Sequence, residues 1–192
     1  MRDKENIKMR REVMRMLLVV RPLGVHKVTI RPARPHDLAR FEARYAMRLT
    51  GDLRQWLLTC NGAEVNPGGI YGVRPTRMPI SAESILHQEP TWKMKGWFPL
   101  ANDGCGDYYV VATKSVIQST QTHPVMFVDQ SDYAKPAYTV ASGVWQFLWF
   151  LLQDQLLHET GSKGYWPFDQ KKVLEVDPAL SKCSDGPLPW DA

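Results

Sequence analysis

Apolar residues recur at helical spacing in the first third of the chain, then give way to short apolar blocks separated by turn residues. Between Asp3 and Val20, Ile7, Val13, Met14, Leu17 and Leu18 stand among Lys and Arg, which predicts a basic amphipathic helix. Arg21-Pro22-Leu23-Gly24 breaks it, and loose alternation from Val25 to Arg31 predicts a short strand. The run from Arg31 to Pro35 reads as a stiff linker. Leu38, Phe41 and Tyr45 then share one helical face, with Pro35 at the first position and Asp37 in the first turn. A second short helix carries Leu53, Trp56 and Leu57. Thr50 is its expected cap and Asn61-Gly62 its left-handed stop.

Beyond it, residues 63–69 read as a loop and 70–73 as a short strand. Ser81 is placed to cap a helix through His87. Strands are expected at 97–101, 107–112, 124–129 and 137–140. Turns at Asn102-Asp103-Gly104 and from Asp129 to Asp132 make the sheet antiparallel. A helix from Gly143 to His158, capped by Ser142, is apolar on both sides. Trp145 and Trp149 stand one turn apart, opposite Phe147, Leu148, Leu151 and Leu152. Such a helix is buried or covered by another segment; the alternative is a tryptophan stripe exposed as an interface. The tail from Gly161 is expected to lie over the body as anchored coil, through Trp166-Pro167-Phe168 and Pro187-Leu188-Pro189-Trp190. The fold class is therefore α+β: N-terminal helices, a mostly antiparallel sheet and a closing C-terminal helix. Its expected organisation is a basic extension (1–34), one main domain (35–160) and a packed Pro/Trp-rich tail (161–192).

Length and composition suit this picture, since 192 residues can bury a substantial core. Cys60, Cys105 and Cys183 are odd in number and far apart. They make no zinc spacing and are expected as reduced thiols in a cytoplasmic protein. The apolar runs are too short or too interrupted for a signal peptide or a membrane span. The net charge of +4 is unevenly divided. Residues 1–48 hold thirteen Lys and Arg against five Asp and Glu; the remainder holds eleven against fifteen. The basic front end can attract an anionic surface. It lacks the aromatic interleaving of specific nucleic-acid binders, so a solvated helix face is the simpler reading and no nucleic-acid partner is expected.

Catalytic signatures are missing. No phosphate loop, dinucleotide fingerprint, nucleophile elbow or zinc-protease helix is present, and the five histidines do not cluster. No catalytic residue, metal ligand or cofactor is therefore expected. Asp103 and Asp107 flank a Gly-rich loop whose spacing suits a hairpin turn and not an EF-hand. Cys105 between them has no nearby histidine to activate it. Trp92 and Trp97, beside Lys93 and Lys95, fall in a looser region and are candidate apolar anchors for a partner, together with Tyr133. Asp103, Asp107, Asp129 and Asp132 are expected on hairpin ends as an acidic face.

Three segments resemble the SUKH superfamily. In the first, Glu42, Leu49, Asp52, Trp56, Leu57, Leu58, Asn61 and Gly62 fall in register with the family's opening, with Ala46, Thr50 and Ala63 at positions where Gly, Pro and Gly are usual. The second, Trp97 to Val110, resembles a strand, an Asp-Gly-Gly-Gly-Asp turn and a strand, with Cys105 replacing the middle Gly. The third is Pro124 to Asp129, followed by Ala141-Ser142 and an apolar helix. The resemblance covers residues 36 to 157. It implies a non-catalytic immunity protein that occludes a cognate toxin domain one-to-one. The acidic face would draw in a basic toxin such as a nuclease. Two other readings stay open: an intracellular regulatory or scaffold domain of the same fold, and an enzyme built on the Asp103–Asp107 loop.

Overall fold

A computed structural model describes residues 2–20, 32–49, 51–65, 68–74, 80–115, 117, 122–129, 131–133, 135–183 and 186–192. The expected chain break at 21–24, the strand at 25–31, the Thr50 cap and Gln130 of the expected turn lie outside them. In chain order the elements are α1 (Arg2–Val20), α2 (Pro35–Tyr45), α3 (Gly51–Thr59), β1 (Ala63–Glu64), β2 (Gly69–Ile70), α4 (Ala82–Gln88), α5 (Pro90–Lys95), β3 (Trp97–Asn102), β4 (Tyr108–Ala112), β5 (Val125–Val128), β6 (Tyr138–Ala141), α6 (Val144–Glu159) and α7 (Gln170–Val176), then a 3-10 turn, Leu180–Lys182. The fold is α+β, and the six strands pair antiparallel in chain order.

The α2–α3 unit shows how local chemistry sets the frame. Pro35 begins α2, and the Asp37 carboxylate accepts from the Arg34 backbone N–H at 3.1 Å, closing a capping box. Ala46 ends the helix in the left-handed region, φ 48°, where a Cβ is strained. Glu42 clamps the turn that follows. One carboxylate oxygen accepts from the Leu49 N–H at 2.8 Å, and the other accepts from Arg54 at 3.1 Å. Leu38, Phe41, Leu53, Trp56 and Leu57 face inward and are buried, as their spacing predicts. Gly62, φ 89°, turns the chain into the sheet, where a Cβ would meet the Ile70 carbonyl and the Gly72 amide at 2.9 Å. Asn61 is more than a stop. Its side chain donates to the Val73 carbonyl and accepts from the Val73 N–H, standing in for a strand residue.

The sheet is covered on both faces. Tyr109 and Phe98 meet Phe147 of α6 and Phe41 of α2, while Tyr108 meets Trp92 of α5. The segment around Trp92, expected to be loose, is helix α5. Pro90 opens it and Gly96, φ 71°, closes it. Ser81 caps α4 by accepting from the Ser84 N–H. Ala63–Glu64, expected as loop, pairs with β2.

Three departures concern the ends of the chain. The N-terminal helix, expected as a solvated basic face, also has a buried side. Val13, Met16, Leu17 and Val20 belong to the main core, and α1 packs on α6. Ser142 does not cap α6. Gly143 holds the cap position without a side-chain bond, and Ser142 gives its backbone N–H and hydroxyl to the buried Asp177 carboxylate at 2.7 and 2.5 Å. The tail is not simply coil, because Asp169 caps α7 by accepting from the Lys172 N–H. The tail covers the outer side of α6. Trp166 stacks on Phe150, and Val173 and Leu180 close a second small core with it. The Thr139 N–H bonds to the Pro187 carbonyl at 2.9 Å, extending the hydrogen bonding past β6. The doubly apolar helix is thus covered by α1 on one side and by the tail on the other. Trp145 is buried, and Trp149 is half-buried with its indole N–H on Glu12 at 3.2 Å.

Candidate functional site

Register brings the expected acidic residues to one end of the sheet. Tyr108 pairs with Val128, so Asp107 before β4 and Asp129 after β5 leave neighbouring strands at the same edge. Asn102 pairs with Tyr108, which makes residues 103–107 the hairpin turn between β3 and β4. That turn is built by its own polar groups. The Asp103 carboxylate accepts from the Cys105 and Asp107 N–H groups at 2.8 and 3.1 Å, and Asn102 accepts from the Gly104 N–H at 3.0 Å. Gly104 and Gly106 take φ 80° and 113°. Asp103 is therefore occupied with its own loop. Asp129 is similarly local: the Ser131 hydroxyl, and then the Ser131 N–H at 2.6 Å, hold its carboxyl below the usual range. Asp132 pairs with Lys135 at 3.6 Å.

The aromatic candidates divide. Tyr133 is partly exposed and ties the site together, its hydroxyl donating to the Gly106 carbonyl at 2.6 Å and its own carbonyl accepting from the Trp92 indole at 2.9 Å. Trp92 is fully buried and Trp97 is 9% exposed, which corrects the expectation that both present open anchors. Trp92 instead supports the site from beneath, with ring contacts to Tyr108 at 5.4 Å and Tyr133 at 6.1 Å. Lys95 stands over the Trp97 ring at 4.3 Å.

The sequence pattern missed Tyr71, Tyr108 and Glu89. Tyr108 meets Tyr133 and Tyr71, and the Asn102 amide bonds the Tyr71 hydroxyl. Burial pushes Tyr71 up to about 12. Tyr108 and Tyr133 are also raised, by burial first and then by surrounding negative charge that includes Glu89. These phenols stay neutral; the Tyr133 hydroxyl donates to the Gly106 carbonyl and the Tyr71 hydroxyl accepts from the Asn102 amide. Adjacent Tyr108-Tyr109 at a strand start was the available signal, because alternation must send one ring to each face.

The arrangement suits recognition by charge and shape. No group of three or more His, Cys, Asp or Glu able to hold a metal ion occurs among the described residues. Cys105 is exposed on the turn, Cys183 is half-buried, and burial pushes Cys60 up to about 12, which makes it a packed thiol and not a nucleophile. No described helix is long and apolar enough to cross a membrane.

Comparison with known families matches residues 32–148, more than half of the chain, to the SMI1 / KNR4 family (SUKH-1). No curated protein matches the chain. The matched stretch runs from just before α2 into α6, so it holds the whole sheet and leaves out α1 and the tail.

Proposed function

The chain belongs to the SMI1 / KNR4 family (SUKH-1), and from that premise we propose that it is a non-catalytic immunity protein that neutralises a cognate toxin domain by covering it one-to-one. The observation that carries the reading is the convergence of Asp103, Asp107 and Asp129 at one sheet end, around the partly exposed Tyr133. Carboxylates held on stiff turns present negative charge without ordering on binding, and they complement the basic groove of a phosphate-binding toxin such as a nuclease. Asp132 extends the face, while Trp92 lies behind it against Tyr108 and Tyr133 and holds its shape. The cytoplasm, where such a toxin would act, is the proposed location.

The test is co-purification with the toxin domain encoded beside this gene, followed by titration of the toxin's activity. Full neutralisation at one equivalent is expected, with no turnover by the chain alone. The double variant Asp129→Lys with Asp132→Lys should slow association more than it speeds dissociation, because exposed charges act mainly through steering. The difference should fade as salt approaches about 1 M, where the Debye length is about 3 Å. Unchanged association rates would move the interface elsewhere. A chain that binds the toxin without silencing it would favour the regulatory or scaffold reading.

A further inference from the structure

Helix α1 has an apolar stripe buried in the core and, beside it, a mixed face of arginines and apolar residues of which Leu18 stays exposed. Val13, Leu17 and Val20 point inward and are buried. Arg11, Met14, Arg15 and Leu18, at spacings of three, four and seven, share a second face that looks toward α3. There Gln55, Leu58 and Thr59, again three and four apart, supply the opposite wall. Between the two helices lies an open groove of about 580 Å³ floored by Trp145 and Arg10. Arg10 belongs to the floor, since its guanidinium lies 5.4 Å over the Trp145 ring and pairs with Asp52 at 3.4 Å.

We propose that this groove docks an acidic amphipathic helix of a partner protein. Its apolar content is uncovered: Leu18 is 53% exposed and Leu58 38%. Its charge has one sign. Three arginines line it and no carboxylate does, and no salt bridge among the described residues engages Arg11 or Arg15. Glu12 lines the adjoining recess with Arg11 and Arg15 but is engaged by the Trp149 indole, which donates to it at 3.2 Å. A concave seam between two helices is the shape into which a third helix lays its ridge of side chains, with apolar anchors at successive turns. Acidic residues flanking those anchors would meet Arg11 and Arg15. The groove is built partly by a helix outside the family match, so it marks chains that carry α1. The proposal does not depend on the toxin reading, which uses the opposite charge on other elements.

The experiment uses the full chain and a labelled 18-residue helical peptide with Leu at successive turns and Glu on the flanks. Fluorescence anisotropy should show saturable one-to-one binding that weakens as salt rises. Arg11→Glu with Arg15→Glu, and separately Leu58→Lys, should each weaken it by about ten-fold or more while the circular dichroism melting curve stays unchanged. The double Lys variant at Asp129 and Asp132 should bind the peptide as the parent does. Four outcomes overturn the proposal: equal binding of a scrambled peptide with the same composition; equal binding of a version with Lys in place of Glu; binding to vesicles of phosphatidylcholine and phosphatidylglycerol with none to the peptide; or a dimer, seen by sedimentation, that Arg11→Glu with Arg15→Glu dissolves.

Discussion

Truncating one leucine on α1 decides whether that helix is an appendage or a wall of the core. Leu17 is 1% exposed, and its neighbours Val13, Met16 and Val20 are 0%, 7% and 4% exposed. Leu17→Ala removes a packed isobutyl group from the seam between α1 and α6 and leaves a cavity that the rest of the core can only partly close. The cost should be about 3–5 kcal/mol, the transfer loss plus the cavity. For a chain this long, that lowers the melting temperature by roughly 6–20 °C. Deleting residues 1–20 removes all four side chains, each contributing about 1.5–3 kcal/mol by burial. The total of roughly 6–12 kcal/mol approaches the whole stability of an ordinary domain, about 5–15 kcal/mol. The deletion should therefore abolish the cooperative transition in a urea titration followed by tryptophan fluorescence. Leu18→Ala is the control on the same helix; its side chain is half exposed, and it should stay within about 0.5 kcal/mol of the parent. A Leu17→Ala cost below about 1 kcal/mol, or a cooperative transition surviving the deletion, would refute the packing argument.

Two further expectations follow from the backbone and from buried charge. Ala46→Gly should stabilise the chain by about 1 kcal/mol in the same titration, because position 46 holds φ 48°; destabilisation would show that the Cβ contributes more than its strain costs. Burial raises the folded-state carboxyl of Asp177 above the ordinary 3.8, against bonds from Ser142 that lower it. A raised folded value means that the protonated form stabilises the fold below the unfolded value and that this contribution is lost as pH rises through the folded one. Stability should therefore increase as pH falls from neutral toward about 4, and Asp177→Asn should flatten that increase. Identical pH profiles for parent and variant would exclude Asp177 as a source of the slope.

Much of the frame was legible because it rests on local rules. Periodicity placed Phe41, Trp56 and Leu57 inward, Pro35 opened a helix, and Gly104 marked a hairpin, since each needs only its neighbours in sequence to act. The spacing of Glu42, Asn61 and Gly62 also carried the family resemblance, and those residues prove to be clamps and turns of one folded unit. What sequence could not decide was which partner a side chain would find across the fold. Ser142 sits where a helix cap belongs, yet a carboxylate thirty-five residues later satisfies it better. Trp92 stands beside lysines in a weakly patterned stretch, yet Tyr108 and Tyr133 arrive from two other elements and bury it. Helix α1 looked like a solvated basic arm because its charge dominates its composition. Only the apolar back of α6 gave its thin stripe of Val13, Leu17 and Val20 something to cover, and burying that shared surface is what draws the helix into the core.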